Sequence, residues 1–249
     1  MISLRRISKQ YYDKNGKIKI LDNIGFDLGR NEIIAILGPN GCGKTTLLKI
    51  IAGLEEYTDG EIVVHAQTSY RSLKYGFIFQ NHQNSLYPWK TVTKNIKFAI
   101  RDKSAYKNQI TDGILKDLNL SQHKNKYPYQ LSGGMAQLTA IGRALAMQPD
   151  IFLLDEPFSA LDYQASLIIQ QKFLNIWQKT NNPTILVTHS IEEAIYLSDR
   201  ILILSNLPAQ IIGEIRNPLP RPRQIDHLGA DLFNQIKKEV LQVIKGFLC

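Results

Sequence analysis

The sequence predicts an α/β fold: a core built on a mixed or parallel sheet, with an N-terminal antiparallel β subdomain ahead of it and an α-helical subdomain inserted into it. Three observations lead there. Apolar and polar residues alternate near the N-terminus, short wholly apolar runs alternate with helical patterns further on, and the strand signal lapses between about residues 83 and 148. The chain has 249 residues, 44% of them hydrophobic and 21% charged, a balance that excludes a disordered, collagenous or coiled-coil chain.

Taken in order, Ile2 to Ile7, Ile18 to Ile20 and Ile24 to Leu28 read as short antiparallel strands, with Asn15 and Gly16 as the turn between the first two. Ile33 to Leu37 is apolar throughout, as a strand buried on both faces should be, and a glycine-rich loop and a helix-forming stretch follow it. Tyr75 to Phe79 reads as a further strand. Val92 to Ile100, Lys107 to Leu118 and the Ala-rich stretch Gly133 to Met147 carry helical spacing. Strands then return at Ile151 to Leu154, Thr184 to Val187 and Arg200 to Leu204. They alternate with helical patterns at Tyr163 to Thr180 and Ile191 to Leu197, the signature of a parallel sheet. A last helix over Asp231 to Phe247 gathers Leu232, Phe233, Ile236, Val240, Val243 and Ile244 on one face, which is expected to pack on the core.

The formal charge of +8 is basic, but Lys and Arg are scattered with no block of five or six, so no nucleic-acid partner is expected. The longest apolar runs are of strand length, too short to span a bilayer, and the first ten residues lack the apolar segment of a secretory signal. Two cysteines, Cys42 and Cys249, are too few for a disulfide framework. The expectation is a cytoplasmic chain.

Two motifs carry chemistry on their own terms. Gly38, Pro39, Asn40, Gly41, Cys42, Gly43, Lys44 and Thr45 form a phosphate loop, placed between a buried strand and a helix as the chemistry requires. Its glycines let amides from Gly41 to Thr46 face phosphate oxygens, Lys44 neutralises β- and γ-phosphate charge, and the Thr45 hydroxyl is a ligand for Mg²⁺. Ile151 to Leu154 then delivers Asp155 and Glu156 to the C-terminal end of a strand, where open α/β sheets bind ligands. Asp155 suits the Mg²⁺ shell, and Glu156 suits orienting or deprotonating a water. Ser132, Gly133 and Gly134, opening a helix after Leu131, offer an amide and hydroxyl nest for a second phosphate contact.

The order of phosphate loop, Gln80, Leu131 to Gly134, Asp155 with Glu156, Ser159 to Asp162, and His189 resembles the ATP-binding-cassette (ABC) ATPases, over nearly the whole chain from Met1 to about Arg223. The resemblance implies a phosphate-loop NTPase fold with an ATPase domain over 1–223. Its RecA-like core would cover about 1–82 and 149–223, its helical subdomain about 83–148, and a C-terminal helical extension 224–249. It implies ATP and Mg²⁺ as cofactors. Tyr11 would stack on adenine, with Tyr12 as rival, and the phosphate loop through Thr46 would bind the nucleotide. Thr45, Gln80 and Asp155 would hold the metal, and Glu156, His189 and Gln80 would serve catalysis. Ser132, Gly133 and Gly134 would face the nucleotide of a second subunit, with Asp162 at the interface of a head-to-tail homodimer formed on ATP binding. Ala136 and Leu138 depart from the family pattern, in which basic residues are common there, so the polar contacts of that helix are expected to differ. Cys42 reads as a small filler, although a helix N-terminus can lower a thiol pKa.

The resemblance further implies a detached ATPase subunit, peripheral on the inner face of the cell membrane and partnered with transmembrane permease subunits and, indirectly, an extracytoplasmic solute-binding protein. Leu86 to Val92 and Asn217 to Arg223 resemble the nitrate, sulfonate and taurine importer group, which includes importers of thiamine precursors. Read without the family, the first is a turn with a packed aromatic and the second an extended solvated tail. The alternatives are a soluble ABC switch acting on a nucleoprotein partner, and a regulatory module without turnover, against which Lys44, Gln80, Asp155, Glu156 and His189 argue.

Overall fold

The computed structural model describes residues 2–13, 16–64, 69–79, 85–100 and 106–248. In chain order the elements are β1 (Ile2–Asp13), β2 (Gly16–Leu28), β3 (Ile33–Leu37), α1 (Lys44–Ile51), β4 (Asp59–Val64), β5 (Tyr75–Ile78), α2 (Val92–Phe98), α3 (Tyr106–Asp117), α4 (Gly133–Ala146), β6 (Ile151–Asp155), α5 (Tyr163–Thr180), β7 (Thr184–Thr188), α6 (Ile191–Leu197), β8 (Arg200–Leu204), β9 (Ile211–Arg216) and α7 (Asp231–Leu248). They fall into two compact units, Met1–Leu73 with Asn181–Cys249, and Lys74–Thr180.

The first unit holds two sheets. In the antiparallel sheet β1 lies between β2 and β4, and Ile2, Leu4 and Ile7 pair with Leu28, Phe26 and Ile24, all six buried. Three short strands were expected over residues 2–28; the structure has two long ones, of 12 and 13 residues. Register shifts in the β1–β2 pair, with Arg6 at φ 52 and Asn23 at φ 57, explain the difference. Each bulge inserts a residue and flips the alternation, so a continuous strand reads as fragments. The Asn15 half of the expected turn lies outside the described residues.

In the second sheet β3 runs parallel to β7 and β8, and β9 closes the edge antiparallel to β8. All five residues of β3 and of β7 are buried, the reason these segments read as unbroken apolar runs. Strand β9 is only half-buried and has no such run to announce it. Helix α1 packs on β7, α6 on β3 and β7, and α7 on α6, β8 and β9. Phe233, Ile236 and Val240 anchor α7 at 2% exposure or less, each side chain contributing about 1.5–3 kcal/mol of burial. The stretch from Asn217 to Arg223 is no solvated tail: Asn217, Leu219 and Arg223 are 8%, 5% and 1% exposed.

In the second unit β5 and β6 pair in parallel, Tyr75 with Ile151 through Ile78 with Leu154. Helices α2, α3 and α4 pack on one another, and α4 also packs on β5 and α5. Asn95, wholly buried on α2, stitches the preceding turn. Its Oδ1 accepts from Tyr87 N at 2.9 Å, and its Nδ2 donates to the carbonyls of Tyr87, Lys90 and Thr91 at 3.3, 2.9 and 3.1 Å. The Tyr-Pro-Trp segment is accordingly a turn, in which Tyr87 stacks edge-on against Phe98 at 4.8 Å while Trp89 stays 69% exposed.

Removing that amide takes the Asn95 partner from Tyr87 N–H and Lys90 O, while Tyr87 O and Thr91 O keep backbone donors, so Asn95→Ala should lower stability by about 2–4 kcal/mol, at 1–3 kcal/mol per unsatisfied group. Urea denaturation followed by circular dichroism measures it. A midpoint unchanged from the parent would show that the turn holds without Asn95.

Candidate active site

The first unit carries the phosphate loop. Strand β3 ends at Gly38, and a turn closed by Cys42 N–H donating to Pro39 O at 3.4 Å leads to Gly41 at φ 77 and Gly43 at φ 106. At Gly43 a side chain is excluded twice, by the left-handed backbone and because a Cβ would lie 2.8 Å from Ile20 Cγ2 and 3.0 Å from Leu21 Cδ2. Helix α1 starts at the next residue with no acidic side chain in its first turn, so nothing on the helix offsets the positive end of its dipole there. Lys44, 4% exposed, folds back to donate to Gly38 O at 2.9 Å and Pro39 O at 2.8 Å, which fixes the ammonium over the loop.

His189 follows β7 directly and is exposed; it lines a cavity of about 440 Å³ together with Gly38, Pro39 and Asn40. Tyr11 reaches the same loop from β1. Its hydroxyl donates to Glu55 Oε1 and is hydrogen-bonded to the Thr46 side chain; partial burial and the Glu55 carboxylate raise its pKa. Lys9 Nζ sits 4.7 Å from its ring centroid and 3.2 Å from Glu55. Tyr12 is 76% exposed against 39% for Tyr11, and among the two only Tyr11 is tied to the phosphate-loop helix. Glu55 and Lys9 were not foreseen. Glu55 is 44 positions from Tyr11, and no local pattern announces the pairing.

The second unit carries the acidic pair and the Ser-Gly-Gly motif. Asp155 closes β6 at 2% exposure, and Glu156 follows at φ 44, a left-handed backbone uncommon for a non-glycine residue and typical of held functional positions. Ser159 braces that turn, its Oγ donating to Glu156 O at 2.9 Å. Asp162 caps α5, with Oδ1 accepting from Ala165 N at 2.9 Å. Ser132 is the N-cap of α4, accepting from Met135 N at 3.3 Å, and Gly133 and Gly134 form its first turn. A Cβ on Gly134 would come 2.8 Å from Ile169 Cδ1, so α5 approaches α4 closely at this position.

Gln80 lies outside the described residues. Ala136 and Leu138 turn out to be buried at 4% and 5%, and Ala136 packs with Leu86 and Ala140. Where the family resemblance leads to an expectation of basic residues, this helix presents apolar packing. Arg143 on the same helix donates to Ser85 O at 2.6 Å and lies 5.7 Å from the Tyr87 ring, and burial lowers its pKa. Cys42 is 2% exposed and its thiol is pushed up by burial, an effect larger than the opposing pull of Lys44. The filler reading stands and the lowered thiol does not.

A buried strand, a glycine turn and a helix whose first lysine folds over that turn define a phosphate-loop nucleotide-binding fold. Residues 21–159 match the family model described as ABC transporter. The chain is 42% identical over 242 residues to the aliphatic sulfonates import ATP-binding protein SsuB of Bacillus cereus, covering 97% of this chain and 94% of that one. It is 33% identical over 246 residues to the nitrate import ATP-binding protein NrtD of Synechococcus elongatus, covering 96% and 89%. Among solved structures, the dimer of MJ0796, a bacterial ABC transporter cassette, aligns with a TM-score of 0.75 at 30% identity over 88% of this chain and 100% of that one. The same cassette in a post-hydrolysis state bound to ADP and Pi aligns with a TM-score of 0.75 at 29% identity, again over 88% of this chain and 100% of that one. The chain belongs to the ABC transporter family, and it is an ATP-binding cassette ATPase.

A buried thiol with a raised pKa is a poor nucleophile. Cys42 in the native protein should therefore react with iodoacetamide at pH 7.5 at least about tenfold more slowly than in urea, where its pKa returns towards ~8.5. Mass spectrometry of the Cys42 peptide measures this, and equal rates in both states would contradict it.

Proposed function

We propose that the chain powers a membrane importer of the sulfonate and nitrate group, taurine and thiamine-precursor importers included, by closing and opening a head-to-tail pair of ATPase subunits. The observation that carries the reading is near-complete coverage of relatives named as import ATP-binding proteins. In this reading the pore belongs to separate permease subunits, with this chain peripheral on the inner face; among the described residues no helix is long and apolar enough to cross a membrane. An extracytoplasmic solute-binding protein would deliver the solute. Exposed aromatics on the second unit, Trp89 at 69%, Phe98 at 57% and Tyr129 at 79%, supply the apolar anchors a permanent partner needs. The soluble nucleoprotein switch draws no support from these relatives. The domain reading keeps 1–223 as the ATPase domain, 83–148 as its helical part and 224–249 as an extension.

In this reading the amides of Gly41 to Thr46 and the Lys44 ammonium hold the β- and γ-phosphates, and Tyr11 supports the adenine. Glu156 takes a proton from water as its oxygen attacks the γ-phosphorus and the bridging P–O bond to ADP breaks. His189, at the end of β7, holds the γ-phosphate side. Ser132, Gly133 and Gly134 present α4's N-terminus to the partner's nucleotide, and Asp162 faces the interface from the start of α5. For the metal, no three His, Cys, Asp or Glu side chains cluster among the described residues. The donors available are the Thr45 hydroxyl and the Asp155 carboxylate, with Gln80 as a further amide oxygen, hard ligands of the sort that hold Mg²⁺ chiefly through phosphates and water. Bound there, Mg²⁺ would neutralise charge on the β- and γ-phosphate oxygens.

Glu156→Gln should cut ATP turnover by about 10²–10⁴-fold, the usual contribution of a positioned base, while ATP still binds and drives dimerisation. Phosphate release and gel filtration with ATP read the two arms, and undiminished turnover would refute Glu156 as the base. Lys44→Ala should lose nucleotide binding itself, checked by titration with a fluorescent ATP analogue. For the transport arm, gentle solubilisation of the tagged chain should recover a polytopic membrane protein. Recovery of ribosomal or DNA-repair partners alone would overturn the importer assignment.

A further inference from the structure

Helix α6 has only seven residues, too few to be stable by itself, so its position is set by what holds its ends. Its N-terminal end follows His189 at once: Ser190 accepts from Glu193 N at 3.2 Å, and Ser190 N donates to Thr188 Oγ1 at 3.0 Å. Its C-terminal end leaves carbonyls without helical partners. That of Ala194 is met by the C-cap Ser198, and those of Ile195, Tyr196 and Leu197 find donors from elsewhere. Asn217 Nδ2 donates to Ile195 O and Ser198 O, both at 2.6 Å. Arg223 Nη1 donates to Tyr196 O at 3.2 Å and Ser198 O at 2.7 Å, and Arg221 Nη2 to Leu197 O at 3.0 Å.

The two guanidinium groups converge on Asp199, whose Oδ1 accepts from Arg221 Nε at 2.8 Å and Arg223 Nη2 at 3.3 Å. The other oxygen of that carboxylate accepts from Ile33 N at 2.9 Å, and Asp199 N donates to Ile33 O at 2.8 Å. Ile33 is the first residue of β3, and the opposite end of β3 opens into Gly38. One cluster thus grips the two elements at their far ends, while their near ends deliver His189 and the phosphate loop to one cavity. Burial pushes the Arg223 guanidinium down to about 10, with Arg221 beside it adding to the effect, and the carbonyls of Tyr196, Ser198 and Leu219 accept from its two terminal nitrogens.

We infer that Asn217, Arg221 and Arg223, gathered on Asp199, are positioning residues that set where α6 stands relative to β3 and so hold His189 at the phosphate loop. The helix is about 10 Å long at 1.5 Å per residue, so a shift at its capped end moves His189 as part of the same rigid turn pair. An arginine serves where lysine does not, because a planar fork can donate to two carbonyls and a carboxylate at fixed angles. None of Asp199, Asn217, Arg221 and Arg223 lines the cavity shared by His189 and the phosphate loop, so the cluster acts through His189. The inference rests on the reading of His189 as the residue facing the γ-phosphate.

The test compares Arg223→Lys and the less buried Arg221→Gln with His189→Ala and with the His189→Ala/Arg223→Lys pair, in full-length protein checked for folding by circular dichroism. Arg223→Lys should lower kcat for ATP by roughly 10- to 100-fold, the effect of a misplacement of about 1 Å, with KM and ATP affinity within about twofold of the parent. Arg221→Gln should move in the same direction and remains readable should Arg223→Lys not fold. In the pair, kcat should match His189→Ala alone, since a misplaced residue that is already absent costs nothing more. Unchanged kcat in both folded single variants, or losses that multiply in the pair, would overturn the positioning role while leaving His189 intact. Full turnover in His189→Ala would remove the role of the histidine and this inference with it.

Discussion

Everything in the site hangs on how β3 becomes α1. A strand buried on both faces must stop abruptly, its chain must reverse, and a helix must start, all within six residues from Gly38 to Gly43. Only a left-handed backbone turns that sharply, and Ile20 and Leu21 leave no room for a side chain at Gly43. The antiparallel sheet therefore takes part in the phosphate loop: by pressing β2 against Gly43 it adds a steric reason for glycine to the left-handed backbone. Lys44 then ties the turn together, donating to the carbonyls of Gly38 and Pro39.

A common arrangement recurs across the molecule. Gly38 follows β3, Glu156 follows β6 and His189 follows β7, each at the C-terminal end of a short strand with every residue buried. Such strands are rigid because they are packed on both faces, and the residue just past the end inherits that rigidity while reaching solvent. The backbone of Glu156 at φ 44 is the clearest sign that a position is held against local preference, with Ser159 bracing it.

Buried charge is the other recurring theme, and each case is compensated locally. Lys44 is met by two carbonyls, and Arg223 by three carbonyls and a carboxylate. Isolated, either cation would cost far more than its packing returns. The compensation ties chain segments together: Lys44 to its own loop, and Arg223 to the end of α6 and, through Asp199, to the start of β3.

The fold class, the parallel strands and most helices were legible because a two-sided buried strand and an amphipathic helix each leave a period in the residues themselves, as β3, β7 and α5 do. The phosphate loop, the acidic pair and the Ser-Gly-Gly turn were legible for a related reason: their geometry is local, so the residues that create it are neighbours in the chain. The bulged continuity of β1 and β2 was hidden, since each bulge erases the alternation that defines a strand. What tertiary structure alone decided are the pairings of distant residues: Tyr11 with Glu55 and Thr46, and Asp199 with Arg221, Arg223 and Ile33. A stretch such as Asn217 to Arg223 looks like solvated coil until another element brings unsatisfied carbonyls to it, because hydrogen bonds across 19 to 27 positions leave no trace in either local sequence.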